Sequence, residues 1–481
     1  MAQTGTARPV PRPAPGRSGR PISRRVRRRR IVAVLTVVLL AYGTADAADA
    51  VPGVLTTDPP PPEARPFPDV ELPGGSVVAP AVEGPGDSAP VPSATALEEL
   101  AAAFEADSRR TGTFGLVVSD AVTGEVLLDH DGDTPRSPAS SLKVLTGAAA
   151  LAALGADRTL TTSAVLADEN TVTLVGGGDV LLAAGEGDPT EVDGHAGLGD
   201  LAASTAQSLV ERDVTQVDLD LDDTLFAEPV YHPDWGPIDR QFVMAVQPLA
   251  IDSGRAGSAF SSDPAVDAAV AFADALESQG VEVTGIDRGA APEEAEELAS
   301  VESAPVSAVV RHMLKQSDNS LSEVLGRLVA VQRGREATFA GGTAAVREQL
   351  AEAGVEISGV TMADSSGLSP ETTVPPSVLV DVLHLADEPE NADLHGLLPA
   401  LPVGGLDGTL SDRFTDEAAG HVRAKTGTLV ESVSLTGTVV THDGRPLHFS
   451  VIASDLVRGT GLQARLAIDS LVASLAVCGC S

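Results

Sequence analysis

From residue 94 onward the chain switches between two spacings of apolar positions. Residues 94–108 repeat at helical spacing, residues 140–154 form an apolar, Ala-rich run that stops at Gly155, and residues 306–331 again follow a period near 3.6. Period-two alternation marks residues 114–118 and 125–128 as a hairpin turned at Thr123-Gly124. It also marks residues 432–440 and 447–453 as a second hairpin across Asp443-Gly444, followed by a helix over residues 461–476. Hairpins at both ends framing Ala-rich helices predict an α/β (α+β) domain, with one antiparallel sheet flanked by helices, over residues 97–156 and 300–481. Between the two parts the texture changes to short alternating strands at 161–166, 171–175 and 214–221 and an acidic patch at 293–297. Residues 157–299 therefore read as a separate, β-rich region.

The first 96 residues follow neither pattern. Arginines over residues 24–30 precede an apolar run at 31–42 and the small-residue stretches Ala45-Asp46-Ala47 and Ala48-Asp49-Ala50, the layout of an export segment. Residues 1–50 are read as either a cleaved signal peptide or a retained membrane anchor. In both cases the body lies outside the cytoplasm, secreted to the cell wall or held on the outer face of the membrane. Residues 51–96 hold 12 prolines and few large apolar side chains, so they form an extended linker.

Charge narrows the partners. Ten of the 29 arginines fall in residues 1–30, and without the first 50 residues the chain carries 22 basic against 66 acidic side chains, a net of −44. That surface repels nucleic acid and anionic lipid, so neither is expected to bind the main body. Cys478 and Cys480 are too few for a disulfide framework or a zinc site and are read as incidental, and the nine histidines show no His-Glu-x-x-His pattern. No metal or cofactor is expected.

Lysine usage points to chemistry. Only Lys143, Lys315 and Lys425 occur in 481 residues. Arginine stays protonated, whereas burial lowers a lysine's pKa far enough for the amine to act as a base. Lys143 follows Ser140 by three residues, which puts both on one helix face, and the helix start favours negative charge on the Ser140 oxygen. A neutral Lys143 can take the Ser140 proton, provided that desolvation and a neighbouring cation depress its pKa. Ser-x-x-Lys alone is common in helices; two further motifs give it weight. Ser317-Asp318-Asn319 lies within the helical stretch 306–331, and Lys425-Thr426-Gly427-Thr428 precedes a strand. Lys315 reads as a helix lysine reaching for solvent. Arg423 shares a strand face with Lys425 and either joins its site or pairs with the acidic surface.

Ser-x-x-Lys, Ser-Asp-Asn and Lys-Thr-Gly in this order resemble the set of the penicillin-binding proteins and class A β-lactamases. The closer resemblance is to the class C low-molecular-mass penicillin-binding proteins, the D-alanyl-D-alanine carboxypeptidase/endopeptidase family. It is carried also by Leu174-Val175-Gly176-Gly177-Gly178-Asp179, Asp364-Ser365-Ser366-Gly367-Leu368-Ser369, the Leu401-Pro402 to Gly408-Thr409-Leu410 stretch and Val422-Arg423-Ala424, and covers roughly residues 97–470. The resemblance implies a serine β-lactamase/transpeptidase-like fold, in which residues 157–299 are an inserted β-rich accessory region, and a serine D-Ala-D-Ala carboxypeptidase, with endopeptidase cleavage as a further activity. Its substrate would be the peptidoglycan stem peptide, and β-lactam antibiotics would be covalent inhibitors. Ser140 would be the nucleophile, Lys143 its base and Ser317 the proton relay to the leaving amine. Asn319, Lys425, Thr426, Gly427 and Thr428 would bind substrate, and the backbone N–H groups of Ser140 and Thr428 would form the oxyanion hole. Two alternatives stay open at this stage, a β-lactamase of the same fold and a catalytically silent cell-wall-binding module. The one tyrosine outside the export segment, Tyr231, lies outside the second motif, and Glu323 follows Asn319 too closely for the class A pattern.

Overall fold

A computed structural model of the chain describes residues 89–478 and, ahead of them, Thr36 and Tyr42. The chain divides into two units, Met1–Val82 and Glu83–Ser481, and the second holds the elements that follow. The export segment expected over residues 1–50 and most of the linker expected over 51–96 lie outside the described residues. Among the described residues no helix is long and apolar enough to cross a membrane. Cys478, read above as incidental, is disulfide-bonded.

Helix α1 (Ala94–Glu105) starts at Ser93, whose hydroxyl caps the Ala96 N–H, and it buries Leu97 and Phe104. Strands β1 (Thr113–Asp120) and β2 (Val126–His130) form the first hairpin, with Gly124 at φ +75° in the turn. A short 3-10 turn, Ala139–Leu142, then leads into α2 (Lys143–Leu154), which Gly155 terminates at φ +89°. Helix α2 is buried on nearly every side, in keeping with the apolar, Ala-rich run that follows Lys143.

The next segment builds its own layer from β3 (Thr161–Leu166), β4 (Thr171–Val175), α3 (Leu198–Val210), β5 (Gln216–Asp222), the two-residue strands β6 (Arg255–Ala256) and β7 (Ala259–Phe260), α4 (Pro264–Ser278), β8 (Glu282–Arg288) and β9 (Glu296–Glu302). Its five-stranded sheet has the order β8-β5-β4-β3-β9 and is mixed: β4, β5 and β8 run parallel, and β3 is antiparallel to both of its neighbours. The parallel pairs need crossovers, which α3 and α4 supply.

The chain then returns through α5 (Val306–Gln316), α6 (Asn319–Gln332), α7 (Phe339–Glu352), α8 (Pro376–Asp387) and the short α9 (Leu397–Ala400). It closes with β10 (Val422–Thr428), β11 (Val433–Val440), β12 (Pro446–Ser454) and α10 (Gly461–Ala476). The two hairpins join in one antiparallel sheet of order β10-β11-β12-β1-β2, in which β1 of the N-terminal part pairs with β12 of the C-terminal part, Val117 opposite Ser450. One core packs α2 against α5, α6, α7 and α8; a second lies between the sheet and helices α1 and α10; a third belongs to the inserted layer. The sheet edge β10 faces the 3-10 turn before α2. Two of the three motifs meet there.

Candidate active site

Ser140 lies within the 3-10 turn, and the α-helix begins only at Lys143, a correction to the helix expected from Ser140 onward. The tighter winding serves the pair, because residues three apart eclipse in a 3-10 turn. Lys143 Nζ lies 3.1 Å from Ser140 Oγ. The turn opens on Ala139 at φ +47°, a left-handed conformation that is rare for a residue with a side chain and common at functional sites.

The Lys143 side chain is fully buried. Its ammonium donates to Ser140 Oγ, to Asn319 Oδ1 at 2.7 Å and to the Ser366 carbonyl at 2.7 Å, which satisfies all three of its donors. Burial lowers its pKa to about 8, while the charges of Asp364, Glu323 and Asp318 pull the other way. Desolvation is the larger cause, and the neighbouring cation expected from the sequence is Lys425, whose repulsion with Lys143 is mutual; the carboxylates oppose both.

The second motif is a corner and does not lie inside one helix as the continuous apolar period suggested. Helix α5 ends at Ser317 in the left-handed conformation, φ +58°, and α6 starts at Asn319 with Asp318 as its cap, accepting from the Leu321 N–H at 3.0 Å. Aspartate is among the best N-caps, so this break had a sequence signal that periodicity masked. The corner aims Ser317 and Asn319 at the two buried lysines. Asn319 accepts from Lys143 through Oδ1 and donates through Nδ2 to the Phe242 carbonyl at 2.9 Å, which ties the inserted layer to the site. Beside the corner a cavity of about 600 Å³ is lined by Asp193, Phe242, Asp252, Arg255, His312 and Asn319, among others.

The third motif is strand β10. Lys425, also fully buried, donates to Ser317 Oγ at 2.8 Å and to the Thr426 carbonyl at 2.8 Å. Burial, reinforced by the positive charges of Lys143 and Arg413, pushes its amine well below the usual lysine range. Gly427 allows the strand to lie against the nucleophile's turn: a Cβ there would stand 2.2 Å from Ser434 Oγ and 2.5 Å from the Pro138 carbonyl. Ser141, beside the nucleophile, joins the same contact by donating to the Lys425 carbonyl at 3.3 Å and pairing with Ser434 Oγ at 2.8 Å. Thr426 is half-buried and Thr428 is exposed at the strand's end, opposite Val433. All eight residues singled out from the sequence are thus brought to one edge of the sheet. Arg423 is exposed and lines a different cavity with His395 and Pro399.

Residues 364–369, which carry part of the family resemblance, form a turn that holds Lys143. Its Ser366 carbonyl accepts from Nζ, and its Ser365 carbonyl accepts from Thr146 and Ser322. Two buried carboxylates hold its backbone. Glu323 accepts from the N–H groups of Ser365 and Ser366, and Asp364 accepts from those of Gly367 and Ser369 and from Trp235 Nε1. Burial pushes the Glu323 carboxyl up to about 8 with the Asp364 charge adding to it, and burial raises Asp364 as well. Gly367, at φ +77°, passes so close to the nucleophile's turn that a Cβ would meet the Ala139 carbonyl at 2.0 Å. The hints in the sequence were Glu323, four residues after Asn319, and the stretch 364–369 itself.

Comparison with known proteins identifies the family. The family model of the D-Ala-D-Ala carboxypeptidase 3 (S13) family matches residues 96–260 and 256–475. The chain is 36% identical over 470 residues to carboxypeptidase DacB of Mycolicibacterium smegmatis, covering 94% of this chain and 95% of that one. It is 36% identical over 411 residues to carboxypeptidase Rv3627c of Mycobacterium tuberculosis, covering 82% and 87%. Its fold is similar to that of penicillin binding protein 4 (dacB) from Haemophilus influenzae, with a TM-score of 0.61 at 20% identity, covering 78% of this chain and 99% of that one. The chain belongs to the D-Ala-D-Ala carboxypeptidase S13 family, and it is a serine-type peptidase.

Proposed function

We propose that the protein cleaves the terminal D-Ala from peptidoglycan stem peptides through an acyl-enzyme on Ser140. Ser140 Oγ attacks the carbonyl carbon of the penultimate D-Ala while its proton passes to Lys143. The C–N bond then breaks, the departing D-Ala amine takes a proton through Ser317, and water releases the peptide from the ester. Lys425 lends positive charge to the Ser317 side of the cleft, and the end of β10 that carries Thr426 and Thr428 lies along the terminal carboxylate, with Thr428 donating to it. The backbone N–H groups of Ser140 and Thr428 face the developing oxyanion; losing one such donor typically costs about a hundredfold or more. Asn319 sets the Lys143 amine. Endopeptidase cleavage is the same chemistry with a second stem as the leaving amine. Residues 157–299 act as the accessory region, and the cavity beside Asn319 receives the stem upstream of the scissile bond. The export segment would deliver the enzyme to this substrate outside the cytoplasm.

The contact that carries the reading is the buried Lys143 amine 3.1 Å from Ser140 Oγ, with a pKa lowered to about 8. Incubating the full chain with a penicillin and following intact mass tests it. A lasting adduct on the wild type and none on Ser140→Ala is expected. Labelling of the alanine variant would overturn the assignment, and rapid drug consumption without an adduct would favour a β-lactamase.

A further inference from the structure

Of the three lysines, Lys315 has no part in the chemistry above. It stands in the last turn of α5, two residues before Ser317, and does not reach for solvent as a surface lysine would. Its ammonium lies 2.7 and 2.6 Å from the two carboxylate oxygens of Asp407 and 2.8 Å from the Leu401 carbonyl, and its side chain is 15% exposed. Three oxygens converging on one small volume suit a compact ammonium better than a planar guanidinium.

The clamp fixes a loop. Asp407 also accepts from the Val403 N–H at 2.8 Å, so the segment from Leu401 to Asp407 is tied to α5 and folded on itself. Although burial opposes it, the Lys315 hydrogen bond holds the Asp407 carboxyl below its usual range. The next residue, Gly408, sits at φ +55°, and a Cβ there would meet the Lys315 carbonyl at 2.8 Å. The loop therefore lies flush against the end of the helix that presents Ser317. This seating delivers Thr409, whose Oγ1 accepts from Thr426 Oγ1 at 3.0 Å. A hydroxyl has one proton. Thr426 commits its own to Thr409, which leaves the Thr409 proton free to point outward.

We propose that Thr409, seated by the Lys315–Asp407 clamp, is a further residue of the carboxylate site and donates its hydroxyl proton to the terminal carboxylate of the substrate, with Thr426 behind it. The proposal rests on the reading of β10 as the carboxylate-binding strand and Ser140 as the acylated group. Lys315 is then a positioning residue that acts through Asp407, two helical positions away from a residue of the reaction itself.

The test compares acylation of the full-length protein by benzylpenicillin, which carries a free carboxylate, and by its methyl ester. In the wild type the acid should react faster than the ester. Thr409→Val should lower the acid-to-ester rate ratio about tenfold or more, the usual worth of a hydrogen bond to a charged group. Thr409→Ser should restore it. Lys315→Met should lower the ratio in the same direction, and Asp407→Asn reads the same clamp should the methionine variant not fold. An unchanged ratio in Thr409→Val, or an equal fall for acid and ester, would overturn the proposal while leaving Ser140 acylation intact. A wild type that neither compound acylates would sink the function reading and this proposal together.

Discussion

Lys143 and Lys425 are the same residue type at the same burial, yet their pockets treat the proton differently. Around Lys143 the carboxylates Asp364, Glu323 and Asp318 offset part of the desolvation and leave the amine at about 8. Around Lys425 the nearby charges are Lys143 and Arg413, which add to desolvation and drive it well below its ordinary value. The hydrogen bonds divide similarly. Lys143 reaches the nucleophile, an amide oxygen and a turn carbonyl, whereas Lys425 reaches Ser317 and its own strand. Burial alone therefore assigns no role; the sign of the neighbours does. An amine near 8 retains proton affinity and is still populated as the free base around neutrality, which is what a general base requires. An amine in a cationic field gains most from an incoming anion, so an arriving carboxylate would favour the charged form of Lys425.

Replacement by arginine should separate the two pockets most strongly. Lys143→Arg keeps a cation but removes the base, and acylation by a penicillin should fall about a thousandfold, within the range that positioned acid–base groups supply. Lys425→Arg keeps the charge that its pocket is built to offer and should cost about ten- to a hundredfold, mainly in KM, in keeping with a charged hydrogen bond distorted but not lost. Stopped-flow acylation rates and peptide KM values check both. Equal damage from the two would break the comparison.

Much of this was legible in the sequence because local signals and tertiary demand agree. The hairpins at Thr123-Gly124 and Asp443-Gly444 carry turn residues between alternating strands, and α2 ends at a glycine with positive φ. The rest was hidden for specific reasons. Asp318 and Ser317 break a helix whose apolar period runs on through both sides of the corner, so periodicity outweighed the cap. The inserted sheet mixes parallel and antiparallel pairs, and its register depends on crossovers through α3 and α4 that no turn dipeptide announces. The role of residues 364–369 was least accessible of all. It arises from Glu323 and Asp364 meeting in the core, some 41 positions apart in the chain, and contact at that separation leaves no local pattern.

The turn that carries Lys143 gives the intermediate prediction. Glu323→Leu removes the acceptor for the Ser365 and Ser366 N–H groups and leaves them buried without partners, each costing about 1–3 kcal/mol. The Ser366 carbonyl should drift from the amine. A lowered thermal midpoint together with an acylation rate reduced about tenfold is expected. A variant that loses stability but acylates at the wild-type rate would show that the turn supports the fold and not the base.

The smallest effect isolates electrostatics from geometry. With Lys143 titrating at about 8, acylation of the wild type should rise about tenfold per pH unit below that value, as the neutral amine becomes populated, and level off above it. Glu323→Gln keeps a carbonyl oxygen for the turn but removes an ionisable group whose negative charge supports the protonated amine. Without it Lys143 should lose its proton more easily, so the rising limb should move to lower pH by a fraction of a unit and acylation near pH 6–7 should increase. Because the Glu323 carboxyl is itself pushed up to about 8, it is only partly ionised over this range, which keeps the shift small. A limb that stays in place would mean that Asp364 and Asp318 supply the opposing charge, and a limb that moves upward would contradict the sign of the interaction on which the contrast between the two lysine pockets rests.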